Sequence, residues 1–388
     1  MIKPILIAIA AGLMALPPAW GQASDPRVAS PSNVLEATEN WESDLGLDDR
    51  LFGLNGDKRA LLQAIDYSLQ YLQTPKAAEK YAELNDPQIT RDRVYRSLVR
   101  FRQLVVSSKT APELQGAVNR EFTWYRSAGN DGRGTVGFTG YFEPTYAGNR
   151  YRTAEYRYPL YARPQDFEDW SEPHPTRSEL EGADGLGSNS PLRGTEIVWL
   201  RDRLEAFLVH VQGSAQLQLP DGRVLTVGYA GKTKHPYTSI GKELVNAGIF
   251  SLEELTLPKL MAYFQQFPQE MDRYLPRNES FIFFKETRGQ AATGNLSVPV
   301  TAGRSIATDK SIMPPGALAL IRAPLPERNG RGEWEQRVVS RFVLDQDTGS
   351  AIKGAGRVDV FMGTGREAGD RAGLTNSNGE LYYLLLKR

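Results

Sequence analysis

The sequence predicts an α+β protein, mainly β, that contains a β-barrel. The residue pattern along the chain is typical of helices at first, then of strands, then of helices, and of strands again. Strand-like segments do not alternate with helices one by one, so an all-parallel βαβ sheet does not fit. The length of 388 residues favours two domains, at roughly 100–200 residues per domain.

Helical periodicity dominates the N-terminal part, after an irregular polar entry segment. Apolar residues repeat on one face at helical spacing and predict three helices, over residues 57–72, 91–105 and 112–125. Thr90 precedes the second of these and is predicted to be its N-cap. A further helical stretch is predicted between Ser251 and about Tyr274.

β texture begins after Gly129 and returns in the last third. Strands are predicted over residues 135–142, 156–161, 206–219, 224–229, 281–284, 317–321, 338–345, 358–362 and 381–386. Asp221-Gly222 predicts a hairpin turn between two of them. The polar segment 165–193 predicts a long loop, with a short helix after Thr176.

Residues 1–23 have the pattern of a secretory signal peptide: Lys3 near the start, an apolar run from Ile5 to Leu16, and small residues up to Ala23. The run is shorter than the about 20 residues that span a bilayer. We therefore expect an exported protein in the periplasm, soluble or peripheral to the outer membrane, with no transmembrane segment. The chain has no Cys, so neither disulfides nor lipid attachment through a cysteine is expected.

Composition and motifs argue against several classes of function. Lys+Arg and Asp+Glu both number 46, so the net charge is zero and no basic stripe indicates nucleic acid. Gly132, Gly134 and Gly137 form a GxGxxG, but a strand-like segment follows where a dinucleotide site needs a helix. Neither an HExxH nor a GxSxG is present. His210, in a predicted strand, is interpreted as structural, and we expect no cofactor and no metal.

The class of function that remains is acid/base catalysis by carboxyl groups. Asp359 lies between Val358 and Val360, where an ionised carboxylate is costly to desolvate and where Asp has a poor strand propensity. Burial would favour the protonated form that a general acid needs. Asp345 and Asp347 lie in a turn-like segment, where aspartates usually cap backbone N–H groups. From the residues alone, a catalytic and a structural interpretation of Asp359 stay open, as they do for Asp347.

The C-terminal third resembles the three-aspartate (3D) domain, a double-psi β-barrel. The resemblance rests on Asp347–Gly354, on Arg357–Gly363, and on Asp309 within Ala307–Pro314. The longer pattern is similar to the membrane-bound lytic murein transglycosylase A family. Its other matching stretches occur in family order, at Thr139–Pro144, Val211–Ser214, Tyr229–Lys232, Ser239–Lys242 and Phe283–Glu286.

The resemblance implies a domain organisation. The signal peptide at 1–23 is followed by a helical segment and the first part of the barrel domain at 24–143. A smaller β domain is inserted at 144–286, and residues 287–388 complete the barrel domain.

The resemblance also implies an activity. Members are lyases, peptidoglycan lytic exotransglycosylases, that cleave the glycan between N-acetylmuramic acid and N-acetylglucosamine and leave 1,6-anhydromuramoyl ends. The sugar's own C6 hydroxyl attacks, so one carboxyl group suffices where ordinary glycosidases need two. By the family match this group is Asp359, with Asp347 in support. The implied substrate-binding residues are Thr139, Tyr141, Gln212, Ser214, Lys232, Ser239, Asp309 and Lys353. The implied partners are glycan strands, with other cell-wall enzymes as further possible partners.

Three alternatives stay open. A double-psi barrel also suits a non-catalytic glycan-binding protein, because a fold does not fix a function. A water-using muramidase would leave reducing ends in place of anhydro ends. An aspartic peptidase would need Asp347 and Asp359 as a proton-sharing pair.

Overall fold

The computed structural model describes residues 34–39, 43–53, 56–251 and 254–388. The predicted signal peptide at 1–23 lies outside these residues. Within the described ranges, no helix combines the length and the apolar character that crossing a membrane requires.

The N-terminal part is mainly helical. Its elements are β1 (Leu35–Thr38), α1 (Lys58–Leu72), α2 (Pro75–Leu84), α3 (Arg91–Ser107), α4 (Ala111–Glu121), β2 (Phe122–Ser127) and β3 (Val136–Glu143). The first two predicted helices are confirmed as α1 and α3, and the Thr90 side chain caps α3 by accepting from the Arg93 backbone N–H. The predicted helix over 112–125 is wrong after Glu121, because the chain continues as β2, which pairs with β1.

The middle of the chain mixes strands and helices. Its elements are β4 (Thr145–Asn149), β5 (Tyr158–Tyr161), α5 (Arg177–Glu181), β6 (Glu196–Leu200), α6 (Arg203–Gln212), β7 (Ser214–Gln218), β8 (Val224–Lys232), α7 (Ile240–Asn246), α8 (Leu257–Gln266), α9 (Glu270–Tyr274) and β9 (Ile282–Glu286).

The predicted strand over 206–219 is wrong, because its first half is helix α6. Asp202 caps this helix by accepting from the Glu205 backbone N–H, and Gly213 ends it at a φ of +78°. Seven consecutive or near-consecutive residues of α6 are buried, so the apolar pattern does not show one helical face. The predicted Asp221-Gly222 hairpin is confirmed between β7 and β8.

The C-terminal part returns to strands. Its elements are β10 (Ser305–Ala307), β11 (Leu318–Arg328), β12 (Trp334–Asp347), β13 (Arg357–Thr364), α10 (Gly365–Gly373) and β14 (Asn376–Leu386). The described chain divides into two compact units. We call residues 34–140, 294–363 and 375–388 the barrel unit, and residues 141–293 with 364–374 the second unit.

The barrel unit is built on one sheet with the order β1-β2-β14-β11-β12-β10-β13-β3. Strand β14 also pairs with β3, so the six strands from β14 to β3 close into a ring. The predicted mainly β, α+β class with a barrel is therefore confirmed, and the double-psi connection stays a prediction. Apolar side chains of β11, β12 and β13 fill the core, among them Leu320, Val343 and Val360, which are fully buried.

The second unit contains a six-stranded sheet with the order β5-β6-β4-β7-β8-β9. Its strands share a core with α6 that includes Val198, Val209, Leu217 and Val227. Within the predicted loop over 165–193, the short helix after Thr176 is confirmed as α5, with a reciprocal capping box between Thr176 and Glu179.

A buried cluster of charges ties the N-terminal segment to the barrel sheet. The Arg304 guanidinium donates to Asp48 at 2.5 Å, to Asp57 at 3.0 Å and to the Phe342 carbonyl at 2.8 Å. Arg304 and Asp48 are fully buried. Burial opposes the charge of Arg304, but the two carboxylates outweigh it, so the pKa of the guanidinium lies above its ordinary value.

Replacing Arg304 by Met should lower the free energy of unfolding of the protein by about 3–5 kcal/mol, because Asp48 then has a buried, uncompensated charge. Urea unfolding followed by tryptophan fluorescence measures this change. The matched control is Arg337→Met, which removes an exposed ion pair with Asp49 and should cost less than about 1 kcal/mol. Equal losses in the two variants would contradict the role of the buried cluster.

Candidate catalytic site

Asp359 lies on β13, between β10 and β3 in the ring. Its neighbours Val358 and Val360 are fully buried, whereas the Asp359 side chain is 20% exposed. Successive residues of a strand point to opposite faces, so the apolar neighbours enter the core while the carboxyl group does not. The expected burial of Asp359 is therefore only partial.

The Asp359 carboxyl group is held through one of its two oxygens. Oδ1 accepts from the Arg357 Nε–H at 3.1 Å and from the Thr139 hydroxyl. The Arg357 Nη2–H donates to the Thr139 hydroxyl oxygen at 2.9 Å, which completes a triangle. Among the residues that the structure describes, Oδ2 has no hydrogen-bond partner. Oδ2 is therefore the oxygen open to a molecule that arrives from solvent.

Asp309 is bound through both of its oxygens. Oδ1 accepts from the Ser311 backbone N–H at 3.1 Å and from its hydroxyl at 2.7 Å, and Oδ2 accepts from the Gly354 backbone N–H at 2.9 Å. Burial acts to raise the pKa of Asp309, but these hydrogen bonds and the charge of Lys353 outweigh it, so the pKa is lowered. Asp309 thus fixes the loop before β13. Lys353 itself is exposed in that loop.

Asp347, the last residue of β12, also binds backbone N–H groups. Its Oδ1 accepts from Asn295 and from Thr348, each at 2.8 Å. In the sheet, Ala307 of β10 faces Asp347 on one side and Asp359 on the other. Two strand spacings, about 9–10 Å, therefore separate the Cα atoms of the two aspartates. These contacts support the turn-capping role of Asp347, and its supporting role in catalysis stays a prediction.

Asp345 is not in a turn, as the sequence suggested, but inside β12. It is fully buried, forms an ion pair with Lys310, and accepts from the Tyr383 hydroxyl at 2.7 Å and the Thr308 hydroxyl at 2.8 Å. Burial raises the pKa of Asp345, against the opposing effects of Lys310, Tyr383 and Thr308. Because β12 runs two residues further than predicted, Asp345 belongs to the barrel interior.

The structure distributes the predicted substrate-binding residues over both units. In the barrel unit lie Thr139, Asp309 and Lys353, and in the second unit lie Tyr141, Gln212, Ser214, Lys232 and Ser239. Of these, Thr139 is the residue that contacts Asp359 directly.

Two of the residues in the second unit have local structural contacts. Gln212 ends α6, and its Oε1 accepts from the Phe142 backbone N–H at 3.2 Å. Ser239 is the N-cap of α7 and accepts from the Lys242 backbone N–H at 3.3 Å.

The other three lie on strands. Ser214 begins β7 and is buried opposite Gly228. Lys232 ends β8, and Tyr141 lies partly buried on β3.

Two further residues of the matching motifs were not singled out from the sequence. Arg357 was quoted within the Arg357–Gly363 motif but was given no role. Glu143, in the Thr139–Pro144 motif, is buried and accepts from the Thr364 hydroxyl at 2.8 Å and from the Gln216 amide at 3.1 Å. Burial raises the pKa of Glu143, in opposition to these two donors.

The structural interpretation of His210 is supported, although the residue lies in a helix and not in a strand. Its ring is buried and Nδ1 accepts from the Ile282 backbone N–H at 3.1 Å, while burial holds the pKa of His210 well below its ordinary value. In the described ranges, no three His, Cys, Asp or Glu side chains are grouped so as to hold a metal ion.

The two-part organisation matches two known protein-family models. The model described as the MltA specific insert domain matches residues 137–285, and the model described as the 3D domain matches residues 304–385. The class of protein is thus one that combines an MltA insert domain with a 3D domain.

Two related proteins match most of the chain. The membrane-bound lytic murein transglycosylase A of Escherichia coli K12 is 32% identical over 264 residues, which is 67% of this chain and 68% of the relative. The protein of the same name from Vibrio cholerae is 32% identical over 263 residues, again 67% of this chain and 68% of the relative. The chain belongs to the membrane-bound lytic murein transglycosylase A family.

Solved structures agree on the fold. A membrane-bound lytic murein transglycosylase from Agrobacterium tumefaciens has a TM-score of 0.69 at 27% identity, over 85% of this chain and 93% of that chain. E. coli MltA with bound chitohexaose has a TM-score of 0.69 at 24% identity, over 94% of this chain and 98% of that chain.

Replacing Asp309 by Asn should lower the free energy of unfolding by roughly 1–3 kcal/mol at pH 7, because charged hydrogen bonds to Ser311 and Gly354 are weakened. The folded-state pKa is lowered, so the contribution is present above the unfolded pKa of about 3.9 and is lost as the pH falls through the folded pKa. The difference between wild type and variant should therefore shrink below about pH 4.

Urea unfolding at pH 7 and at a series of lower pH values measures this difference. The matched control is Asp92→Asn, which removes an exposed carboxylate on α3 and should change stability little at any pH. A difference between wild type and Asp309→Asn that does not depend on pH would contradict the prediction.

Proposed function

We propose that the protein is a lytic transglycosylase of peptidoglycan and that Asp359 is its single general acid and base. The observation that carries the proposal is the state of the Asp359 carboxyl group. It is partly exposed, it is fixed through Oδ1, and its Oδ2 has no partner among the described residues. Asp309, by contrast, is bound through both oxygens. Membership of the family supports the choice of substrate and reaction.

The reaction needs one carboxyl group because the substrate supplies the nucleophile. Protonated Asp359 gives its proton to the oxygen that links N-acetylmuramic acid to N-acetylglucosamine, and the bond from C1 to this oxygen breaks. The C6 hydroxyl oxygen of the same muramoyl residue then bonds to C1, and its proton passes to the Asp359 carboxylate. The product is a 1,6-anhydromuramoyl end, no water is consumed, and Asp359 regains its proton.

A positioned acid and base contributes typically 10²–10⁴-fold, so binding must supply the rest. Thr139 contacts Asp359, and Asp309 fixes the loop before β13. The proposed glycan-binding residues are Tyr141, Gln212, Ser214, Lys232, Ser239 and Lys353. Hydroxyl, amide and ammonium groups suit sugar hydroxyls and acetamides, and an aromatic ring suits a sugar face. We further propose that residues 1–23 export the chain to the periplasm.

Three alternatives fit the geometry less well. A proton-sharing aspartic dyad needs carboxyl groups about 3 Å apart, but Asp347 and Asp359 flank β10 on opposite sides. A water-using muramidase needs a second carboxylate that can activate water, and Asp347 already accepts two backbone N–H bonds on Oδ1. A glycan-binding protein without activity would not need a partly exposed Asp359 carboxyl group that is held through one oxygen only.

Replacing Asp359 by Asn should reduce the release of anhydromuropeptides from purified peptidoglycan by at least about 10²-fold, because Asn cannot carry the transferred proton. Mass spectrometry of the soluble products measures the release. The matched control is Asp66→Asn, which removes an exposed carboxylate on α1 and should leave the release unchanged.

The proposal fails if the Asn variant releases anhydromuropeptides at the wild-type rate. It also fails if a folded wild type binds peptidoglycan and releases nothing, which would favour a glycan-binding protein.

A further inference from the structure

We propose that Arg357 is a positioning residue that, together with Thr139, fixes Oδ1 of Asp359 throughout the reaction and so assigns both proton transfers to Oδ2. This inference rests on the proposed function of Asp359. Arg357 is the further residue, and the two carboxyl oxygens of Asp359 have separate tasks.

The backbone just before Arg357 in the chain is held by hydrogen bonds. The Gly356 carbonyl accepts from the Gly137 backbone N–H and from the Asn130 side chain, each at 2.8 Å. The Ser127 hydroxyl donates to the Ala355 carbonyl at 2.7 Å. The chain therefore enters β13 at a defined place. Arg357 and Asp359 are two positions apart on the same strand, so both side chains lie on one face.

The Arg357 side chain is only 12% exposed and uses two donors on one edge of its guanidinium. Nε–H donates to Asp359 Oδ1, and Nη2–H donates to the Thr139 hydroxyl oxygen. A hydroxyl group has one hydrogen to donate, and here the Thr139 hydroxyl donates it to Oδ1. Two donors on adjacent strands thus converge on one oxygen.

This arrangement serves both protonation states of Asp359. In the carboxylate, Oδ1 accepts two hydrogen bonds as an anionic oxygen. In the acid with its proton on Oδ2, Oδ1 is a carbonyl oxygen and still accepts both. Because neither donor has to leave, the carboxyl group keeps its orientation between the acid step and the base step. Oδ2 stays directed to the substrate in both.

Arg357 is the charged side chain in direct contact with Asp359, with Nε 3.1 Å from Oδ1, whereas the other donor to this oxygen is the neutral Thr139. A guanidinium stays charged at any working pH. The ion pair is therefore present whenever Asp359 is a carboxylate.

The test separates the charge of Arg357 from its geometry with two variants. Arg357→Gln removes the charge, and Arg357→Lys keeps it but loses the contact made by two donors along one edge. We expect kcat for anhydromuropeptide release to fall by up to about 10²-fold in both variants, with a smaller change in KM. A fall in Arg357→Lys equal to that in Arg357→Gln assigns the effect to the geometry of the contact.

Thr139 provides a second pair of variants, in which the side-chain volume changes less than in the Arg357 variants. Thr139→Val removes the hydroxyl donor and should lower kcat, and Thr139→Ser keeps the donor and should restore most of it. This pair decides the matter if Arg357→Gln does not fold. The surface control is Arg133→Gln, in the loop before β3, where the side chain is exposed.

The inference is overturned if Arg357→Gln retains the kcat of Arg133→Gln. It is also overturned if Arg357→Gln loses activity and thermal stability together while Thr139→Val keeps the wild-type kcat, since that is the result of a purely structural role. Loss of activity in Thr139→Ser equal to that in Thr139→Val would contradict the hydroxyl's part. A wild type that releases no anhydromuropeptides would instead defeat the proposed function itself, whatever the variants do.

Discussion

The pairing of β14 with β3 is the constraint on which the barrel unit depends. Strand β14 comes from the C-terminus and pairs with β11, and it also pairs with β3 from the N-terminal part, where Asn376 faces Thr139. Without this pairing the ring stays an open sheet. With it, Thr139 is held on the strand next to β13 and contacts Asp359, 220 residues further along the chain. The closure that completes the fold therefore also completes the site.

The three aspartates that carry the resemblance have different physical situations within one barrel. Asp309 and Asp347 accept backbone N–H groups and fix the segments on either side of β10 and before β13. Asp359 alone of the three contacts Arg357 and Thr139. Because hydrogen bonds to a charged acceptor are stronger than neutral ones, the first two aspartates give the loops a rigidity that a single reactive carboxyl group needs. In the function that we propose, the shared motif thus contains one reactive group and two groups that fix its surroundings.

The sequence was sufficient to predict a helix or a strand where one periodic pattern of apolar residues dominated the segment. Strong one-sided periodicity predicted α1 and α3, and alternation with β-branched residues predicted the central parts of β11 to β14. The pattern failed where burial removed it, as in α6, which is buried on nearly every side. It also failed for β10, whose three residues are too few to show any period.

The site could be predicted only in part for a related reason. Asp359 stood out because a carboxylate among apolar strand residues is unusual. Its contact with Thr139 could not be predicted from local sequence, since it depends on ring closure between distant segments. Arg357 has an ordinary sequence environment, and only its distance to Asp359 points to the positioning role that we propose. Asp345 was misassigned because its ion-pair partner Lys310 lies 35 residues earlier in the chain, just after β10.

The central claim is that the substrate's own hydroxyl group, and not water, attacks the carbon that Asp359 activates. Digestion of purified peptidoglycan by the wild type in water enriched in ¹⁸O, followed by mass spectrometry of the muramoyl ends, tests this claim directly. The account predicts anhydro ends that contain no ¹⁸O. Reducing ends that carry ¹⁸O would contradict it and would mean that the same carboxyl group activates water for hydrolysis.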